Sequence, residues 1–296
     1  MSDSKGSTGL LDIKLHKPQS IEEAVKLLGD LEDAKLVAGG TDLLVDIKQG
    51  LITAKNLISL QNIQSLRGIW EETGKIWIGA MMTPKEIQTD SLINQHVPSL
   101  SDAARSIAAT QIRSMATIGG NVASAVPSAD MPPPLIAAEA SGVLDCGTSR
   151  EISLAEFFTG ARETICGAAE VLASVWIPIP PPRTGSSYQK LALREANALA
   201  VVGVASQISL SGDKIAKANI VLGAVAPTPI LALKASESLR GQRPSESLFE
   251  EAAYLAKQAA KPISDIRASA WYRKELIPIL TRRSLDVAWV RVREQS

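Results

Sequence analysis

The hydrophobic pattern in the first part of the chain predicts short strands and helices. Residues 11–15 (LDIKL) alternate between apolar and polar side chains, as the residues of a half-buried strand do. Ser20 and Glu23 have the spacing of a capping box, and apolar residues at helical spacing follow them. Apolar runs at 35–40 and 56–60 predict two further strands, with a short helix between them. The pattern therefore predicts a small mixed α+β unit.

The middle of the chain gives a weaker pattern. Residues 75–80 (KIWIGA) and 171–179 (VLASVWIPI) are typical of strands, and apolar positions within 99–112 share one helical face. Glycines and prolines between 117 and 134 argue against any regular element there. We expect an irregular loop in that stretch.

The last part of the chain predicts two strands followed by helices. Residues 200–210 and 216–226 are rich in β-branched and small apolar side chains, and a polar turn (SGDK) separates them. Helical patterns begin at Ser245 and at Asp265, and the second helix is expected to kink or break near Pro278. The pattern divides the chain into a disordered tail at 1–10, a first unit at 11–60, a second unit at 61–180, a proline-rich linker at 181–185 and a third unit at 186–296.

Composition and charge exclude several classes of function. Lys and Arg number 31, as do Asp and Glu, so no basic excess points to nucleic acid. No apolar run is long enough for a membrane span, and the polar N-terminus does not have the pattern of a signal peptide. Two cysteines and two histidines are too few for an iron–sulfur cluster and give no metal-site spacing. The scarcity of cysteine favours a reducing, cytoplasmic location.

Two glycine pairs are the strongest candidates for a binding site. They are Gly39–Gly40 and Gly119–Gly120, and each lets the backbone turn tightly and approach a ligand closely. Successive free N–H groups in such turns bind anions, so two facing loops could hold both phosphates of a dinucleotide. Neither loop matches the Rossmann or P-loop motif, and either pair alone is more often a simple turn.

The sequences around these pairs carry a family resemblance. AGGTDLLVDIK and QIRSMATIGGNVASAVPSADMPPPL resemble the two flavin-binding segments of the FAD subunit of the xanthine dehydrogenase and carbon monoxide dehydrogenase family, which are molybdenum hydroxylases. KIWIGAMMTPKEI, VLASVWIPIP and the stretches YQKLALREANALAVVGVA and DIRASAWYRKELIPILTRRSL resemble further family segments in the same order. The resemblance spans Leu11 to Leu285.

The resemblance implies a fold and a set of cofactor contacts. The first and second units would be FAD-binding subdomains 1 and 2 of the vanillyl-alcohol oxidase type, and the third unit the α+β C-terminal domain. The contacts with the diphosphate and ribityl chain would come from two loops, namely Val37, Ala38, Gly39, Gly40, Thr41, Asp42 and Leu43, and Thr117, Ile118, Gly119, Gly120, Asn121 and Ser124.

Three further residues match family positions near the flavin. By resemblance, Asp130 would bind a ribose or ribityl hydroxyl, Leu172 would lie over the isoalloxazine, and Lys190 would lie at the pyrimidine edge. A core position is equally compatible with Leu172, and a surface position with Lys190. No histidine or cysteine lies beside the first loop, so the FAD is expected to be noncovalent.

The resemblance implies an electron-transfer subunit without catalytic side chains of its own. It would take electrons from [2Fe-2S] clusters of a small two-cluster subunit, beside a large molybdopterin-binding subunit, in a dimer of heterotrimers. Two alternatives stay open: a flavin-free scaffold subunit and a self-contained flavin oxidase.

Overall fold

A parallel sheet forms the centre of the first unit. The computed structural model describes residues 12–194 and 198–294, so the tail expected at 1–10 lies outside the described residues. The elements of the unit are β1 Lys14–His16, α1 Ile21–Asp30, β2 Ala34–Val37, α2 Leu43–Lys48 and β3 Asn56–Ser59. The strands pair in the order β1–β3–β2. Ser20 caps α1 by accepting a hydrogen bond from the Glu23 N–H, which confirms the predicted helix start.

An antiparallel five-stranded sheet forms the second unit. Its order is β4–β5–β10–β6–β7, in which the strands are β4 Ile69–Glu72, β5 Lys75–Gly79, β6 Ser141–Asp145, β7 Ser149–Ser153 and β10 Val171–Pro178. A hairpin of β8 Phe158–Gly160 and β9 Glu163–Thr164 precedes β10. Short helices cover the sheet: α3 Pro84–Ile87, α4 Ser91–His96, α5 Pro98–Ser106, α6 Thr110–Arg113, α7 Ile118–Ala123, α8 Pro132–Ala137 and α9 Leu154–Phe157, with a 3₁₀ turn at Gln64–Leu66.

The third unit is a four-stranded antiparallel sheet packed against helices. Its elements are β11 Thr184–Ala192, β12 Ala200–Ser211, β13 Lys214–Gly223, β14 Ile230–Leu231, α10 Leu233–Leu239, α11 Glu246–Ala259 and α12 Ala270–Glu294. The two strands predicted around the SGDK turn are confirmed as β12 and β13. The α+β class is confirmed for all three units. No helix within residues 12–194 and 198–294 is long and apolar enough to cross a membrane.

The expectation of an irregular loop between 117 and 134 is wrong. Helix α7 begins at Ile118 because Thr117 caps it, and Gly119 and Gly120 lie inside that helix. Helix α8 begins with three prolines at 132–134, where the missing N–H groups have no partner to lose in the first turn. Glycine and proline therefore stand near helix starts here, although elsewhere they mark loops.

Two helix boundaries also differ from the prediction. The helix expected over 99–112 is divided into α5 and α6, because Ala108 adopts a left-handed backbone conformation with φ of 37° between them. Helix α12 continues past Pro278 without interruption. Its packing against β11, β12 and α11 stabilises the helix despite the lost backbone hydrogen bond.

Apolar clusters join the three units. Ile58 of β3 packs with Leu66, Met81 and Val171 of the second unit. On the other side of the second unit, its main core extends to Tyr188 and to residues of β12 and β13. The units therefore share buried surface rather than standing apart on linkers.

A buried polar cluster also connects the second and third units. The Lys190 ammonium donates to Asp130 at 2.8 Å and to the Ser106 carbonyl at 3.0 Å, and the Tyr188 hydroxyl donates to Asp130 at 2.8 Å. The Lys190 and Asp130 side chains are 7% and 8% exposed. Burial raises the pKa of Asp130, while Lys190 and Tyr188 oppose that rise. Each member of this cluster thus depends on the others for its charge or hydrogen bonds.

We expect Lys190→Met to destabilise the fold by about 3–5 kcal/mol at neutral pH, because it leaves the Asp130 carboxylate buried without its cation. Without Lys190 the pKa of Asp130 should rise further above its unfolded value. A buried carboxyl with a raised folded-state pKa does not lower stability at pH values below its unfolded-state pKa, because it is neutral in both states there. It lowers the stability of the fold as the pH rises from the unfolded-state pKa through the folded-state pKa. The loss should therefore be smaller at acid pH than at neutral pH.

Denaturant titration of parent and variant at both pH values measures this difference. The matched control is Lys217→Met, since Lys217 pairs with Glu139 at the surface with about half of its side chain exposed. That variant should lose no more than about 1 kcal/mol. Equal losses in the two variants would contradict the assignment of a buried, mutually dependent cluster.

Candidate functional site

A cavity of about 780 Å³ lies where the first and second units meet. Its walls come from the end of β2, the start of α2, the end of β5, helix α7, the β8–β9 hairpin and the start of β10. The lining residues are Lys35, Leu36, Val37, Ala38, Gly39, Gly40, Thr41, Asp42, Leu43, Asp46, Leu51, Ile52, Leu60, Ala80, Met81, Ala116, Thr117, Gly119, Gly120, Asn121, Ala123, Ser124, Arg162, Val171 and Leu172. Both glycine pairs therefore face one cavity, as the sequence predicted.

The first glycine loop offers backbone donors. Gly40 has a φ of 69°, a conformation that glycine adopts without strain. The N–H groups of Gly39, Gly40 and Thr41 make no hydrogen bond to any group in residues 12–194 and 198–294. Asp42 precedes α2 without capping it through its side chain. This turn can therefore donate several hydrogen bonds to an anion in the cavity.

The glycine pair of the second segment does not offer free backbone donors, contrary to the expectation. The Ile118 and Gly119 N–H groups donate to the carbonyls of Met82 and Ala80, both at 2.9 Å. The Gly120 N–H donates to the Thr117 hydroxyl at 3.0 Å. These groups are used to anchor and cap α7, because the segment is a helix start rather than an open turn.

Side chains supply the polarity of the second segment instead. The Asn121 carbonyl oxygen accepts a hydrogen bond from the Met131 N–H at 3.1 Å, which fixes the side chain and leaves its amide NH₂ group available. Thr117 and Ser124 add hydroxyl groups to the same wall. The two sides of the cavity thus differ in chemistry: backbone N–H groups on one, short polar side chains on the other.

Three of the glycines in the cavity wall differ in what an added side chain would meet. A Cβ on Gly39 would lie 2.0 Å from the Met115 carbonyl oxygen, and one on Gly119 would lie 2.6 Å from the Ala80 Cβ. Both positions are glycine because protein backbone passes there. A Cβ on Gly120 would approach the Thr117 hydroxyl at 3.0 Å, with no backbone atom in contact. Gly120 is therefore the glycine whose missing side chain leaves room in the cavity itself.

Charged side chains of both signs line the cavity. Asp42 and Asp46 lie one helical turn apart, and Arg162 of the β8–β9 hairpin donates to Asp46 at 2.6 Å. Burial is the main cause that raises the pKa of Asp42; the charge of Asp46 adds to the rise and Arg162 opposes it. Sequence reasoning missed Arg162 and Asp46, because they are 116 positions apart in the chain and no local pattern shows the pairing.

The residues expected to contact the flavin are not all in one place. All of them line the cavity except Ile118, Asp130 and Lys190. Ile118 is fully buried in the core of the second unit. Asp130 and Lys190 form the buried pair between the second and third units, outside the cavity lining. Leu172 lines the cavity at the start of β10 with 6% of its surface exposed.

The acidic, histidine and cysteine side chains in the part of the chain that the structure describes are not grouped as metal ligands. No group of three or more His, Cys, Asp or Glu side chains is placed there to hold a metal ion. Both cysteines are free thiols, and neither lines the cavity.

Two family models match the chain. A model described as the FAD binding domain in molybdopterin dehydrogenase matches residues 11–180. A model described as the CO dehydrogenase flavoprotein C-terminal domain matches residues 186–288. Together they cover the cavity, the β8–β9 hairpin and the third unit.

Individual proteins are similar over nearly their whole length. The carbon monoxide dehydrogenase medium chain of Hydrogenophaga pseudoflava is 34% identical over 278 residues, covering 93% of this chain and 96% of the relative. The xanthine dehydrogenase FAD-binding subunit of Escherichia coli is 30% identical over 276 residues, covering 92% and 94%. A solved structure of the Hydrogenophaga pseudoflava carbon monoxide dehydrogenase superposes with a TM-score of 0.91, covering 94% of this chain and 98% of that one.

We expect Gly120→Val to fold and to lose the expected FAD, because Gly120 lines the cavity and an added Cβ meets the Thr117 hydroxyl at 3.0 Å rather than another backbone segment. Gly119→Val should instead destabilise the fold, since it meets Ala80 in the adjacent strand end. Thermal denaturation separates the two variants, and flavin absorbance after gel filtration measures retention. A Gly120→Val protein that keeps one FAD per chain would contradict this reading of the cavity.

Proposed function

Since this chain belongs to the family of FAD-binding medium subunits of molybdenum hydroxylases, we propose that it binds one FAD noncovalently in the cavity between its first two units and transfers electrons. The single observation that carries the proposal is the turn at Gly39–Thr41, which lines a cavity of about 780 Å³ and whose N–H groups have no partner among the described residues. We propose that this turn binds the diphosphate.

The opposite wall of the cavity fits the rest of such a ligand. Thr117, Asn121 and Ser124 would bind ribityl hydroxyls or phosphate oxygens, and Gly120 leaves space beside them. Leu172 would contact the isoalloxazine. For Asp130 and Lys190, flavin contact stays a prediction, since their pair lies outside the lining.

The proposed role follows from what each part of such a complex can do. FAD supplies the ability to accept electrons one at a time and to release them in pairs. The relatives are subunits of molybdenum-containing dehydrogenases. We propose that this chain takes electrons from the [2Fe-2S] clusters of a small subunit, beside a large molybdopterin-binding subunit, and passes them to an external acceptor. A dimer of such heterotrimers in the cytoplasm, with the domains at 11–60, 61–180 and 186–296, is part of the same proposal.

Acid precipitation tests the cofactor. Trichloroacetic acid should release one FAD per chain, because no histidine or cysteine is among the residues that line the cavity. Flavin that stays with the pellet would show a covalent bond. A complex without flavin, even after incubation with FAD, would support the flavin-free scaffold, and substrate turnover by this chain alone would support a self-contained oxidase.

A redox titration tests Lys190. If its ammonium lies near the pyrimidine edge, it favours the added negative charge of the reduced flavin, and Lys190→Met should lower the potential. The paired Asp130 carboxylate offsets most of the Lys190 charge, so we expect an effect of about 1 kcal/mol, which corresponds to roughly 20 mV for a two-electron couple. Lys217→Met is the control, because Lys217 lies at the surface. An unchanged or raised potential in Lys190→Met would leave this lysine with its structural role only.

A further inference from the structure

We propose that Arg162 and Asp46 form a retaining ion pair that closes the rim of the FAD cavity and slows release of the cofactor. The inference rests on the proposed function, and it concerns two residues that the sequence analysis did not name as cofactor contacts. Arg162 acts on the cofactor through its contact with Asp46, so its role is that of a positioning residue.

The backbone fixes Arg162 at the rim. It lies in the turn between β8 and β9 in a left-handed conformation with φ of 62°, and its N–H donates to the Ala125 carbonyl at 2.8 Å. A strained turn with an anchored N–H holds the base of this side chain in place. The guanidinium then reaches across to α2.

The pair connects the two units that enclose the cavity. Asp46 belongs to the first unit and Arg162 to the second, and both line the cavity. The Arg162 guanidinium reaches the two carboxylate oxygens of Asp46 at 2.6 and 3.5 Å.

Exposure places this contact at the solvent edge. The apolar wall formed by Leu60, Met81 and Val171 is almost fully buried, whereas the Arg162 side chain is 51% exposed and the Asp46 side chain 9% exposed. The pair therefore runs from a buried carboxylate in the cavity wall to a guanidinium that reaches solvent, which places the Arg162 end at the rim.

The geometry favours retention over direct binding of the diphosphate. Arg162 directs its strongest donor to Asp46, which largely cancels its charge. If Arg162 bound the diphosphate directly, Asp46 would compete with the ligand, and Asp46→Asn would slow FAD release. If the pair retains FAD, Asp46→Asn should speed release, as Arg162→Gln does.

The experiment measures the rate of FAD release from the flavin-loaded protein after dilution, followed by the rise in flavin fluorescence. Arg162→Gln and Asp46→Asn should each speed release by about threefold to fivefold, the upper part of the range for ion pairs with a solvent-exposed partner. The double variant should release FAD no faster than the faster single variant, because both changes break the same contact. Arg162→Lys should release FAD more slowly than Arg162→Gln, because lysine keeps the positive charge. The differences in release rate between parent and variants should shrink at high salt.

Arg150→Gln is the matched control. Arg150 forms a bidentate ion pair with Glu170 at 2.6 and 2.8 Å. Both residues belong to the second unit, as Arg162 does, but Arg150 does not line the cavity. It should leave FAD release unchanged. Equal acceleration in Arg150→Gln, slower release in Asp46→Asn, or an additive double variant would each overturn the retaining pair. A parent protein that binds no FAD would overturn the proposed function together with this inference, whereas a flavin-loaded parent whose release Arg162→Gln does not change would overturn the inference alone.

Discussion

The cavity depends on two places where backbone passes too close for any side chain. At Gly39 the first loop touches the Met115 carbonyl, and at Gly119 helix α7 touches the end of β5. The Gly39 contact sets how closely the first loop approaches the second segment, and the hydrogen bonds from Ile118 and Gly119 hold that second segment against the β5 end. The polar groups that face the cavity are positioned by this packing, so the site depends on the fold more than on any single side chain.

The two glycine segments offer different polar groups to the cavity, and the difference has a physical basis. Donors that stay unbonded in a folded protein are costly unless water or a ligand satisfies them, and the turn at Gly39–Thr41 keeps such donors at the cavity. Helix α7 instead uses its first N–H groups for anchoring, which gives a rigid wall from which Asn121 projects with a fixed amide. One side of the site is thus suited to an anion and the other to hydroxyl groups.

Ion pairs with different burial hold different parts of the molecule. The Asp130–Lys190 pair is enclosed between the second and third units, so each partner needs the other to remain charged at low cost. Arg291 on α12 adds a second link by donating to Asp102 of α5 at 2.6 and 2.9 Å. The Arg162–Asp46 pair is open to solvent on one side only, since the Arg162 side chain is 51% exposed and the Asp46 side chain 9% exposed. The structure therefore combines a buried ion pair between the second and third units with a more exposed ion pair at the rim of the cavity, where a ligand must enter and leave.

The sequence by itself determined the class of the fold, most strands, the cap of α1 and the two glycine segments, because alternation, capping and paired glycines are local signals. It also led to the family, through segments that keep their order along the chain. Only the tertiary structure decided that Gly119 and Gly120 start a helix, that Asp130 and Lys190 pair outside the cavity lining, and that Arg162 meets Asp46. These contacts join residues far apart in the chain or depend on what packs against them. Their energies come from burial and charge, which a local pattern of residues does not contain.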